Sequence, residues 1–167
     1  MKRICGIGLA VVTLFGSTLG VPPPGITLIG KGLISGTALD RSGLTGNICQ
    51  AGVPTNCVPK ALFGGFGSAL AYTGHNSVFV GAPDRGPFDG LTDVPYLDRV
   101  QFLHIKTELD APFPNIRTTL LDTRILKNER GQPLVGAAGA FVQNNERATL
   151  RFDPEGIRIG LFGTLFI

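Results

Sequence analysis

GSALAYTGHNSVFV, residues 67–80, and PEGIRIGLFGTLFI, residues 154–167, align without a gap at an offset of 87 residues, Ser68 falling on Glu155. Leu70 falls on Ile157, Tyr72 on Ile159, Ser77 on Thr164, Val78 on Leu165, Phe79 on Phe166 and Val80 on Ile167. Each copy has a small-residue entry, a short apolar strand, a glycine-containing turn and a second apolar strand. Small antiparallel hairpins recurring at a fixed offset are the sequence mark of a β-propeller, whose blades are small sheets packed on one another. A blade usually takes about 40–50 residues, so a period of 87 demands long inserts, and 83–98 and 127–147 are candidates. The expectation is an all-β chain holding a partial β-propeller, about two blades and the start of a third. The first copy runs on into Gly81-Ala82-Pro83-Asp84-Arg85-Gly86, whereas the second stops at Ile167, level with Val80. That stop predicts a truncated propeller whose C-terminal blades are missing.

A chain rich in glycine and apolar residues can match itself by coincidence, so other segments must carry the fold class independently. The 167 residues include 24 Gly and 12 Pro, with 43% hydrophobic and 16% charged residues. The apolar content excludes disorder, and the Gly/Pro excess excludes a helical bundle. Candidate strands are 26–35, 68–73, 77–82, 99–108, 116–126, 148–152, 156–160 and 163–167. RVQFLHIKTEL (99–109) alternates, with Val100, Phe102, His104 and Lys106 on one face and Gln101, Leu103, Ile105 and Thr107 on the other. Partly apolar on both faces, it fits a strand stacked between two sheets. RTTLLDTRIL (117–126) fits strand or helix by period alone; Pro112 and Pro114 upstream favour strand. AGVPTNCVPK, APDRGPFDG and KNERGQP read as loops.

The N-terminus has a different character. Lys2 and Arg3 precede an apolar run from Ile4 to about Gly16, followed by the small residues Ser17, Thr18 and Gly20. This is the layout of a secretory signal peptide, and the run is short for a membrane span. The expected division is a signal peptide over 1–20, the proline-rich connector VPPPG over 21–25, and the propeller portion over 26–167. Export to the periplasm or the extracellular space follows, with no membrane attachment after cleavage. Losing Lys2 and Arg3 leaves 13 basic against 12 acidic residues, and the absence of a basic cluster argues against a nucleic-acid partner. Cys5 departs with the leader. Cys49 and Cys57 remain, and in an oxidising compartment they are expected to form a local disulfide.

Polar chemistry concentrates in two places. PDRGPFDGLTDVPYLDR (83–99) carries Asp84, Asp89, Asp93 and Asp98 beside Arg85 and Arg99. Such a set of carboxylates can hold a hard cation, or carboxylate and arginine together can act on a phosphate or carboxylate ester. Alternatively the aspartates cap turns around Gly86 and Gly90 and pair with the arginines. RFDPEGIRI (151–159) places Asp153 before a proline and Glu155 at the mouth of a strand, where a propeller opens onto its channel. His75 sits in a turn and His104 within a strand. Ser68 and Ser77 lack a nucleophile elbow, and no phosphate loop or paired zinc-ligand motif is present.

Taken together, GGFGSALAY (64–72), APDRGPFDG (82–90), YLDR (96–99), LLDTRILKNERGQPLVG (120–136) and RFDPEGIRI (151–159) resemble, in order, the N-terminal half of a known domain. This is the phytase-like, "esterase-like activity of phytase", domain of secreted bacterial proteins. The resemblance covers roughly 26–167. It implies a β-propeller-like fold and hydrolysis of a small-molecule ester or phosphoester. On the matching motifs Asp84, Arg85, Asp153 and Glu155 become site candidates. Asp84 and Glu155 are expected as catalytic bases or ligands and Arg85 as an anion clamp. Asp84, Asp89, Asp153 and Glu155 are the expected ligands of a metal, with Ca²⁺ the candidate cofactor. Family members continue past the segment matching GTLFI into a polar, acidic stretch, which this chain lacks. A non-enzymatic exported propeller that binds a ligand at its channel mouth, or an inactive truncated product, are the alternatives.

Overall fold

The alternating segment at 99–109 forms a central strand of an all-β molecule. The computed structural model describes residues 7–8 (backbone only), 25, 27–63, 66–136 and 150–167. In chain order the strands are β1 (Ile7–Gly8), β2 (Leu33–Ile34), β3 (Asn47–Gln50), β4 (Val53–Pro59), β5 (Phe66–Tyr72), β6 (Val78–Pro83), β7 (Tyr96–Leu97), β8 (Arg99–Thr107), β9 (Ile116–Ile125), β10 (Val135–Gly136), β11 (Arg158–Ile159) and β12 (Leu165–Phe166). Two 3₁₀ turns, Pro87–Gly90 and Leu161–Gly163, are the described helical segments. Among the described residues no helix is long and apolar enough to cross a membrane. Apart from β1, which pairs with β2, the expected leader and connector lie almost wholly outside the described residues.

β5, β6, β8 and β9 form a four-stranded antiparallel sheet in that order. Its register places Ala71 against Val80, Val80 against Phe102, and Gly81 against Gln101. Successive side chains of a strand point to opposite faces, so each pair assigns its residues to one side. On the first face Ala69, Val80, Ala82 and Val100 form a buried cluster with Ile157, and Ala71, Phe102, Leu126, Ile159 and Leu165 pack around it. On the second face the Phe66 ring lies where a Cβ at Gly81 would stand, 2.4 Å away, so no other residue fits there. Phe63 stacks on Phe66 with ring centroids 5.2 Å apart. Residues 38–63 cover this side: the Arg41 N–H donates to Thr123 Oγ1, which bonds to buried Gln101 Oε1 at 2.6 Å. Arg99, on the same side, is tied to Asp40 in a buried ion pair and reaches the Lys60 and Leu97 carbonyls.

The 87-residue repeat is visible as two antiparallel hairpins, β5–β6 and β11–β12. Their registers differ by one residue. Tyr72 faces Phe79 across the first turn, whereas Ile159 faces Leu165 across the second. The turns explain the offset: residues 73–78 reverse through left-handed Asn76 and Ser77, and 160–164 through a 3₁₀ turn with left-handed Phe162. β11 and β12 lie against the first face of the main sheet. Leu161, Phe162 and Phe166 on the same hairpin are exposed.

Several strand assignments change. Among the described residues of 26–35, only Leu33–Ile34 is strand. Residues 148–149 lie outside the described set, and within 150–152 Arg151 makes an isolated bridge to Val135. AGVPTNCVPK is not a loop. Val53–Pro59 is a strand paired with Asn47–Gln50, with Gly52 at positive φ in the turn. Polar, proline-containing strands escape a search for apolar alternation, and β4 is largely exposed. Cys49 and Cys57 face one another across it and are disulfide-bonded. Because the bond closes a short chain loop, the Cys49→Ser/Cys57→Ser variant is expected to lose roughly 2–3 kcal/mol in urea denaturation.

Candidate functional site

The acidic residues converge because they continue the rows of the core. Asp84 lies two residues beyond Ala82 and Asp98 two before Val100. Asp153 and Glu155 lie four and two before Ile157. Ala82, Val100 and Ile157 belong to one buried cluster, and alternation carries the carboxyl-bearing residues toward its end. The site therefore lies at the rim of the first sheet face.

Carboxylate oxygens of Asp84, Asp153 and Glu155 lie within 4.8 Å of one another and could hold a metal ion. Arg85 runs among the carboxylates. Its Nε is 3.3 Å from Asp84 Oδ1, 3.3 Å from Asp153 Oδ1 and 3.5 Å from Asp89 Oδ1. The Arg85 backbone N–H also donates to Asp84 Oδ1 at 2.6 Å. Gly86 follows at φ 90°, and a Cβ there would stand 2.4 Å from the buried Tyr96 ring, so the chain can turn here only with glycine. The next turn holds Phe88 and Asp89 in left-handed conformation, which brings Asp89 back to Arg85.

Charge is distributed unequally. Burial works to raise the Asp84 pKa, but hydrogen bonds from Asp153 and from the Arg85 amide and guanidinium prevail and hold it below the usual value. Asp153 is pushed up to about 6, first by its hydrogen bond with Asp84, then by burial and the charges of Asp84 and Glu155 against the opposing pull of Arg85. Below about pH 6 the pair thus shares a proton that resides on Asp153. Asp98 is pushed up to about 8 by burial, which outweighs Arg99; the charges of Asp153 and Asp84 add to the rise.

The four aspartates of 83–99 separate in role. Asp84 is in the carboxylate group. Asp89, expected as a ligand, contacts Arg85 and stands outside the three-residue group. Asp93 accepts hydrogen bonds from the Cys49 and Val94 backbone N–H groups and secures the β3–β4 hairpin. Asp98 is fully buried, with no hydrogen-bond partner for either oxygen. Its burial has a signal in the sequence, the two-residue spacing to Val100. Gly136 has none: a Cβ there would stand 2.5 Å from the Arg85 carbonyl oxygen and 2.8 Å from Asp98 Oδ1. His75 is exposed in its turn and His104 half-buried in β8.

No protein-family model, curated protein or solved structure matches the chain.

Proposed function

We propose that this chain forms blades of an exported, phytase-like β-propeller hydrolase whose acidic rim holds Ca²⁺ and acts on a small-molecule ester or phosphoester. The observation that carries this reading is the convergence of Asp84, Asp153 and Glu155 from segments about 70 residues apart. Calcium binds oxygen ligands at about 2.3–2.6 Å, so ligands on opposite sides of the ion lie about 5 Å apart, and the 4.8 Å spread suits it. A calcium ion at these carboxylates would supply electrostatic polarisation of an ester oxygen. Glu155, exposed at the rim, is the base available to a water. Arg85 is the anion clamp once its carboxylate partners are engaged elsewhere. The Cys49–Cys57 disulfide supports an oxidising compartment. The exposed Leu161, Phe162 and Phe166 suit a hairpin that packs against a further blade.

The test is a panel of phosphomonoester and carboxylic-ester substrates with and without calcium. Calcium-dependent turnover is expected, falling on the order of 100-fold in Asp84→Asn and in Glu155→Gln. Unchanged rates in both variants would remove these roles. A second reading, a non-enzymatic propeller binding a ligand at its rim, draws on the same arginine. Arg85 already faces three carboxylates, which leaves it less available to a substrate anion. Calcium-dependent ligand binding without turnover across the panel would favour that reading.

A further inference from the structure

A cavity of about 330 Å³ lies on the side of the molecule that residues 38–63 cover. Two pairs of strands frame it. The β3–β4 hairpin and the residue after it contribute Ile48 and Lys60, and the β7–β10 pair contributes Tyr96, Leu97 and Val135. Leu44, Val94 and Pro133 from the adjoining segments add to the apolar wall. Val135 and Leu97 face one another directly, so one apolar surface runs across both strands. Ile48 is buried, and Leu97 and Val135 are half-buried. The buried Tyr96 ring is fixed in place, Gly86 closing on it and the Arg99 guanidinium carbon standing 4.3 Å from its centroid. Sites for small organic ligands have this make-up, a few hundred Å³ of mostly apolar wall with a small number of placed polar groups.

The charge on this wall is one-sided. Its charged residues are Lys60 and Arg99, and no acidic residue lines it. Arg99 is neutralised, since buried Asp40 pairs with its guanidinium. Lys60 is not. Ile48 lies opposite Val58 in the hairpin, and Lys60 follows two residues on, its N–H donating to the Gly46 carbonyl. Strand alternation turns Ile48, Val58 and Lys60 to the same face. The Lys60 stem therefore lies along the apolar wall and its ammonium reaches for the mouth. Among the described residues no carboxylate forms an ion pair with Lys60. Asp93, beside Val94, is taken up by the Cys49 and Val94 N–H groups. One uncompensated positive charge thus stands over an apolar surface.

We propose that this cavity binds a small organic monoanion, a carboxylate with an apolar body, whose carboxylate pairs with Lys60 and whose body lies on Ile48, Leu97 and Val135. An apolar cavity of about 150 Å³ takes benzene, so roughly twice that volume suits a ligand of about eleven non-hydrogen atoms, an aryl-alkyl or medium-chain alkyl carboxylate. The carboxylate gives Lys60 a charge-assisted hydrogen bond, which a neutral molecule of the same shape does not. Asp84, Asp153 and Glu155 do not line the cavity, and the site stands independently of any reading of the acidic rim.

Phenylpropionate and its neutral isostere phenylpropanamide are titrated into the full chain at neutral pH by isothermal calorimetry. Wild type, Lys60→Met and Lys31→Met are compared, Lys31 being exposed and outside the cavity. Lys60→Met keeps an apolar stem and removes the charge, so it is expected to fold; near-UV circular dichroism checks this. Wild type is expected to bind the acid on the order of 10-fold more tightly than the amide. Lys60→Met is expected to erase that preference while leaving the affinity for the amide unchanged, and Lys31→Met to preserve it. Backbone amide chemical shifts locate the ligand on wild type without any substitution: phenylpropionate should move Ile48, Leu97 and Val135 and leave Asp84 and Arg85 in place. Absence of saturable binding, equal affinity for acid and amide, or a preference that survives in Lys60→Met overturns the proposal. Shifts centred on Asp84 and Arg85 overturn it as well, since they would place the carboxylate on Arg85 at the rim.

Discussion

Asp40→Ala is expected to cost about 3–5 kcal/mol of folding stability, enough to unfold a marginal domain. The side chains of Asp40 and Arg99 are 0% and 1% exposed. Asp40 Oδ2 meets the Arg99 guanidinium, and Oδ1 accepts the Ser42 backbone N–H at 2.8 Å. Removing the carboxylate strands a buried guanidinium that cannot deprotonate. The Lys60 and Leu97 carbonyls and the Tyr96 ring, 4.3 Å from the guanidinium carbon, soften the loss without supplying a counter-charge. The pair matters because it joins the segment 38–63 to the second face of the main sheet. The double variant Asp40→Leu/Arg99→Met is expected to recover most of the loss, since apolar replacements of a buried ion pair are often neutral or better. Urea denaturation of Asp40→Ala and of the double variant measures this. A single-variant loss below about 1 kcal/mol would show that solvent reaches the pair.

The main sheet was legible because its strands alternate. Val100, Phe102 and Leu103 in β8 fall on the faces that the pattern assigns them, and the two hairpins of the 87-residue repeat both form. The one-residue register difference between them was not legible, since it depends on left-handed residues at Asn76, Ser77 and Phe162, positions where side chains other than glycine are uncommon. The β3–β4 hairpin was hidden for another reason. Thr55 and Asn56 are polar and Pro54 and Pro59 resist strand assignment, yet the edge position and the disulfide accommodate them. No sheet among the described residues closes on itself, and the propeller remains a proposal built on hairpin repetition.

At the site, residue types were legible and partnerships were not. Asp84, Arg85, Asp153 and Glu155 stood out by charge, and they do converge. Asp89 and Asp93 stood out equally, but one contacts Arg85 from the surface and the other caps a backbone. Arg99 looked like a companion of the acidic loop. Strand alternation sends it to the opposite face from Asp98, and adjacent residues thereby acquire unrelated environments. The proximity of Gly136 to Asp98 depends on the pairing of β10 with β7, which two-residue strands do not announce.

In calcium-free buffer the protein is expected to lose about 2 kcal/mol of stability between pH 6 and pH 8, and Asp98→Asn is expected to abolish most of that loss. Asp98 titrates at about 8 in the folded chain against an ordinary value of 3.8. The native state therefore keeps a proton that the unfolded chain has released, and stability falls with rising pH wherever the native state binds more protons. The contribution of this group is complete below about pH 4 and declines as pH rises through about 8. Each pH unit in the window is worth at most about 1.4 kcal/mol, and the drop flattens as Asp98 ionises near pH 8. The Asp84–Asp153 pair acts at lower pH. Asp153, raised to about 6, contributes in the same sense as Asp98 but has lost most of its proton above that value. Asp84 is lowered, so its contribution is present above the ordinary carboxylate value and is lost as pH falls through its folded value. The interval from pH 6 to pH 8 consequently isolates Asp98. Urea denaturation at half-unit steps in a chelating buffer gives the profile for wild type and Asp98→Asn. An equally steep decline in both would place the titrating group elsewhere. A flat wild-type profile would mean that Asp98 ionises without cost, through contact with solvent that its burial in the fold does not provide.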